Sequence, residues 1–237
     1  MKFIISVALV WLVSLPTLSA IPNRKQSIDP LLKKLSAPHK IAVSEIYKMG
    51  PTAYKKLYKM SFDDSQPMKM RWKAFMVMTS IGGKKSLPEI DRALENKAWF
   101  MRSAGLLALE NVDQGQARKR ARQVLQQDPA MLVRVNAVDI LAKDPSKSSR
   151  SALWKGLDDE LNFHRKRSLW IREHIAKSLA EDPTKRELLS WKRMLHSEDH
   201  QLQIHASKAL SQLAGKKDIE DPKKQLAYWK KKFPLQR

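Results

Sequence analysis

Two stretches of this 237-residue chain carry side chains able to do chemistry. HSEDHQLQIH, starting at His196, sets His196, Glu198, Asp199, His200 and His205 within ten positions. Two imidazoles four apart on a helix can share one metal ion. This stretch, however, reads as a turn between helices, with Ser197, Glu198 and Asp199 as caps. It also lacks the H-E-x-x-H order of a zinc helix. Capping is the expectation, and no metal is assigned to His196, His200 and His205. NFHRKRSLWIREH, residues 162–174, combines two histidines, a tryptophan and a run of basic side chains suited to an acidic partner. The carboxylates Glu110, Asp139 and Glu173 are spaced so that none pairs with another as an acid/base couple. There is no nucleophile elbow and no glycine-rich phosphate loop. The absence of cysteine removes thiol chemistry and disulfides. The expectation is a binding protein without a cofactor, not an enzyme.

Other candidates have blander alternatives. Trp72, Trp99, Trp154, Trp170 and Trp191 recur at intervals that could stack sugars or bases, but tryptophan at helical spacing more often fills a core. Trp170, amid basic residues, is the one left open. ARKRARQ places Arg118 and Arg122 on one helix face, which reads as solvated surface. In KKQLAYWKKKF, Leu226, Trp229 and Phe233 form an apolar stripe flanked by lysines, which reads as a terminal cap burying its stripe rather than a membrane-surface helix.

The elements that would position these groups are helices. Only seven glycines occur, β-branched runs are nearly absent, and helix-forming residues dominate. The first twenty residues, MKFIISVALVWLVSLPTLSA, have the layout of a secretory signal peptide, so the expected location is periplasmic or secreted. Without them the balance is 44 basic against 24 acidic side chains, which favours acidic partners or an anionic polymer by long-range attraction. Basic residues are shared almost evenly among the predicted helices, whereas a nucleic-acid groove would gather them on one face. Five Asp-Pro pairs punctuate the chain, at Asp29, Asp128, Asp144, Asp182 and Asp221. In each, aspartate is expected to cap a helix and proline to occupy its first position.

Internal repetition sets the predicted architecture. MRWKAFMVMTSIG from Met70, MRSAGLLALENV from Met101, VRVNAVDILAK from Val133, IREHIAKSLAE from Ile171 and LQIHASKALSQLAG from Leu202 share one pattern. Their anchors are Arg71, Arg102, Arg134, Arg172 and Gln203, spaced 31, 32, 38 and 31 apart. A further helix is predicted between anchors each time, at 86–95, 116–127, 148–159 and 185–196. Such helix pairs bury their apolar faces only by stacking on neighbours.

The phrase DPAMLVRVNAVDILAK resembles the second helix of a HEAT repeat, and the short period is similar to the phycobilisome-lyase type. The resemblance covers residues 65–214. It implies an all-α, right-handed α-solenoid of about five helix pairs, with the arginine-bearing helices on the concave side. It also implies that each repeat arginine pairs with the acidic or amide residue six positions earlier: Asp128 for Arg134, Asn96 for Arg102, Ser65 for Arg71. Arg172 departs, with Lys166 there. These arginines are expected to be structural. HEAT families are chiefly binding scaffolds, and a glycosylase-like activity is not carried over.

The predicted organisation is a signal peptide over 1–20, a flexible segment over 21–38, a capping helix pair over 39–64, the repeats over 65–214 and a basic terminal helix and tail over 215–237. The fourth unit is about six residues longer than its neighbours, and the excess falls around Leu161 to Trp170. His164, Arg165, Lys166, Arg167 and Trp170 therefore lie on an insertion or helix extension, and they are the predicted contact patch. The expected function is to hold, as a monomer, an acidic protein partner in the cell envelope. Attachment to cell-wall glycan, lipopolysaccharide or nucleic acid is the alternative, and an unrecognised lyase-like or glycosylase-like enzyme is the third.

Overall fold

The computed structural model describes residues 40–216 and 221–235, with side chains from Ser44 onward. The predicted signal peptide, the 21–38 segment and the Asp29-Pro30 pair lie outside the described residues.

The described chain is almost entirely helical. In order come α1 Lys40–Lys48, α2 Gly50–Phe62, α3 Met68–Gly82, α4 Leu87–Leu94, α5 Trp99–Val112, α6 Gln114–Gln127, α7 Met131–Ala142 and α8 Lys147–Leu157. A two-stranded ribbon follows, β1 Phe163–His164 and β2 Arg167–Ser168, and then α9 Trp170–Glu181, α10 Leu188–Met194, α11 His200–Leu213 and α12 Pro222–Lys232. No described helix is long and apolar enough to cross a membrane.

Two kinds of helix alternate, and their sequences say why. α6, QGQARKRARQVLQQ, buries only Ala117, Ala121 and Leu125, a stripe at four-residue spacing that rests on one layer. α7, MLVRVNAVDILA, buries Val133, Arg134, Val135, Ala137, Val138, Ile140 and Leu141. It is apolar nearly all round because it is surrounded: it packs on α5 and α9 as well as α6 and α8. The five anchor-bearing helices touch in chain order, α3 on α5, α5 on α7, α7 on α9 and α9 on α11. Each fully buried leucine or isoleucine of this layer contributes about 1.5–3 kcal/mol. Where α4 ends against α5, the packing at Gly105 is tight: a Cβ there would lie 3.0 Å from the Leu94 amide nitrogen.

The caps differ from the sequence expectation. Asp221 caps α12 directly, accepting from the Lys223 and Lys224 amides with Pro222 just inside. At Asp128, Asp144 and Asp182 the pair stands two residues further upstream, and Ala130, Ser146 and Thr184 are the N-caps. Proline disfavours helical geometry in the residue before it, so these aspartates belong to the extended lead-in. α12 buries Leu226 and Trp229 against α11, and the Trp229 indole donates to the Ser211 hydroxyl at 2.7 Å.

Candidate functional site

Of the two alternatives, insertion or helix extension, the excess length before α9 is an insertion. It is a β-hairpin, with Phe163 opposite Ser168 and His164 opposite Arg167. Its base is tightly held. Asp159 accepts from the Leu161 amide at 3.0 Å, and the Leu169 amide donates to the Asn162 carbonyl at 3.0 Å. Asn162 is fully buried and donates to the Gly156 carbonyl at 2.7 Å. The Arg172 guanidinium lies 4.1 Å from the Phe163 ring centre and bonds the Ser168 hydroxyl.

The tip is strained. Arg165 has φ 47° and Lys166 has φ 66°, the left-handed pair that a two-residue hairpin turn demands. Asparagine and glycine normally supply that turn: glycine lacks the Cβ that costs about 1–2 kcal/mol per residue there, and asparagine offsets it by bonding its own backbone. Strain of this kind persists only where the surroundings over-determine it, and the buried base does so here. The result is that His164, Arg165, Lys166 and Arg167 are all exposed, and among the described residues none of their side chains has a hydrogen bond or ion pair. Trp170, at the start of α9, is 48 % exposed beside them.

The repeat anchors sit elsewhere, in the joints between helices. Arg71, Arg134 and Arg172 are buried, and the Arg102 side chain is 15 % exposed. The relation across six residues is real in its spacing but uses a different atom from the one the family resemblance implied. Arg102 donates to the main-chain carbonyl of Asn96 at 2.9 Å, Arg134 to that of Asp128 at 2.7 Å, and Gln203 to that of Ser197 at 2.5 Å. The side chains at those positions are occupied locally, accepting from the amides of Ala98, Ala130 and Asp199. The Asp128 carboxylate reaches back instead to the previous anchor, meeting Arg102 bidentately at 2.7 and 2.8 Å. That hydrogen bonding holds the Arg102 guanidinium above its ordinary range. Arg134 likewise donates to Asn162 at 3.1 Å and to the Leu161 carbonyl at 2.7 Å. Arg71 takes the Ser61 carbonyl and Asp64 rather than Ser65, and Arg172 takes the Leu157 carbonyl at 2.6 Å rather than Lys166.

Carboxylates that looked solitary in the sequence are partnered across helices. Asp139 on α7 meets His174 Nε2 on α9 at 2.7 Å, and the His174 ring lies 5.9 Å from that of Trp170. Glu173 on α9 is 3.9 Å from His205 Nε2 on α11, and Glu110 accepts from Lys143 at 2.8 Å. Burial pulls the His205 imidazole below its ordinary value, and Glu173 opposes that. The His174–Asp139 couple has the geometry of a general base, but no serine or threonine hydroxyl is bonded to it among the described residues. The histidines considered for metal diverge: His196 bonds the Phe233 carbonyl at 2.8 Å, His200 faces Gln203 at 3.4 Å and His205 faces Glu173. Among the described residues no group of three or more histidine or acidic side chains is placed to hold a metal ion.

The tryptophans divide. Trp191 is fully buried, with Trp154 packed on it at 4.7 Å, while Trp72 is half-buried and Trp99 is 38 % exposed. On α6, Arg118 lies 3.8 Å from Asp144, and both Arg118 and Arg122 are half-buried.

Fold and site thus define an almost wholly helical chain in which anchor-bearing helices pack on one another in chain order, with one basic ribbon between α8 and α9. The chain matches no protein-family model and no curated protein at a significant level.

Proposed function

We propose that this chain is an exported, right-handed α-solenoid of HEAT-like helix pairs that holds an acidic protein partner in the cell envelope. Contact is made through the concave face and the basic hairpin of the irregular fourth unit. Supporting the architecture is the packing of the anchor-bearing helices in chain order. Supporting export is the n/h/c layout of residues 1–20.

The observation that carries the binding role is the hairpin tip. Two non-glycine residues held at positive φ, with no partner for either charge among the described residues, are a cost that folding alone does not require. An exposed tryptophan beside them supplies the aromatic anchor that protein interfaces favour. The net charge of +21 favours a polyanion as the second reading. Salt separates the two: a reader of an anionic polymer making six to ten contacts loses about 10³–10⁵ in affinity between 50 and 200 mM salt. A protein held around Trp170 loses far less.

The direct test is charge reversal of Arg165, Lys166 and Arg167 to glutamate. The variant keeps the helical circular dichroism and melting temperature of the parent and loses its envelope partner. Undiminished retention of the partner by a folded triple variant contradicts the assignment.

A further inference from the structure

Two clefts occupy the same place in different helix pairs. One, about 230 Å³, is walled by Leu94, Glu95, Arg102, Arg120 and Asp128. The other, about 290 Å³, is walled by Trp154, Asp158, Arg172, Arg193, Met194 and Ser197. In each, an anchor arginine faces the first helix of the next pair and the turn that follows it.

In the first cleft both guanidinium groups have a carboxylate. Asp128 takes Arg102 bidentately, and Glu95 takes Arg120. The second cleft has the same frame without the acid. Ser197 stands where Asp128 stands: its carbonyl accepts from the anchor six residues on, and its side chain caps the amide two residues on. A hydroxyl there is too short to reach back as the Asp128 carboxylate does. Arg172 donates from Nε to Leu157 and from Nη1 to Ser168, while among the described residues Nη2 comes no nearer a carboxylate than Asp158 at 4.0 Å. The Asp158 side chain is 90 % exposed. Asp199, whose charge also acts on Arg172, is committed to the Gln201 amide at 3.0 Å. The Arg193 side chain is exposed, with no hydrogen bond or ion pair among the described residues. A guanidinium whose side chain is only 10 % exposed is thus left with an open donor in a cleft.

We propose that this cleft binds a carboxylate from outside the chain, seated between the open Nη2 of Arg172 and the Arg193 guanidinium. One oxygen of a planar anion meets Arg172 Nη2 and the other meets Arg193, so two cations share a two-oxygen group. Trp154, Met194 and the buried Leu157 and Leu202 add an apolar wall, which selects a carboxylate on a short alkyl stem over a bare inorganic anion. Two sources carry that group, an acidic side chain of another polypeptide or a free short-chain acid. The site does not depend on the hairpin, and its failure leaves the hairpin assignment untouched.

The test is titration of the full chain with N-acetylglutamate α-amide, with butyrate, and with the neutral N-acetylglutamine α-amide. Binding is followed by calorimetry and by fluorescence of Trp154 in the cleft wall. Saturable binding of the carboxylates and none of the amide upholds the site. Preference for the glutamate probe assigns a polypeptide source, and equal binding of butyrate assigns a free acid. Ser197→Asp rebuilds the internal pair, so it raises the melting temperature and weakens carboxylate binding by at least about tenfold, the worth of a charged hydrogen bond. Arg193→Gln, at an exposed position, weakens binding without altering the fold. Charge reversal at 165–167 leaves this binding unchanged. Equal binding of the glutamine amide, no saturable binding at all, or full binding by both single variants overturns the proposal.

Discussion

Arg165 and Lys166 hold a backbone conformation that their side chains oppose, and the price is measurable. Replacing them by Asn-Gly supplies the residues a left-handed turn prefers. The double variant gains about 1–2 kcal/mol, which for a chain of this length raises the melting temperature by roughly 2–8 °C. The same variant loses two charges and binds its partner more weakly. An unchanged melting temperature contradicts the strained turn. Asp128 presents the opposite case. Its carboxylate is nearly buried and satisfies Arg102, so Asp128→Ala leaves a largely buried cation alone and costs about 3 kcal/mol in urea unfolding. Asp128→Asn keeps the local cap and one acceptor and costs clearly less. Equal losses in the two variants argue against the ion pair as the cause.

The outer helix that follows α9 shows how one carboxylate ties elements together. Glu187 completes a capping box with Thr184, accepts two bonds from Arg150 on α8 at 2.6 Å each, and accepts from the Trp154 indole at 2.9 Å. Burial alone would raise its carboxyl, but the bonds from Arg150, Trp154 and the Thr184 amide together hold it below the ordinary value of 4.5. A depressed carboxylate binds fewer protons folded than unfolded. Its stabilisation is therefore complete above about pH 4.5 and lost as pH falls through the lower folded value. The parent loses stability over that window, and Glu187→Gln flattens the loss while starting from a lower plateau. An identical acid profile in both contradicts the role of Glu187. Elements were legible in the sequence where the signal was local. The scarcity of glycine and the three-and-four apolar spacing announce helices, and all five anchor segments lie in helices. The hairpin was not legible, because Arg-Lys is not a turn-forming pair and the turn is imposed by the buried base around Asn162. The anchor partners were half legible. Asn96 and Asp128 mark the six-residue spacing, but short polar side chains bond their own backbone first, so the anchor takes the carbonyl; the same bond from Gln203 to Ser197 is not among the expected pairs. The couples Asp139–His174, Glu173–His205 and Glu110–Lys143 join residues 35, 32 and 33 apart. Local spacing hides them, whereas a search for opposite charges one repeat apart exposes them.

At the scale of the whole molecule, a large positive charge and a helical frame that repeats its joints leave one unit irregular. The charge speeds encounter with any acidic partner and fades with salt; in the proposed function the hairpin and Trp170 supply what remains. The most direct measurement is retention of the envelope partner by the parent and by the Arg165, Lys166 and Arg167 charge-reversed variant, matched in circular dichroism, at low and at moderate salt. The account predicts that the parent retains one protein at both salt levels and the variant retains it at neither. Equal retention by the two proteins, or a parent whose binding collapses by several decades with salt, contradicts it.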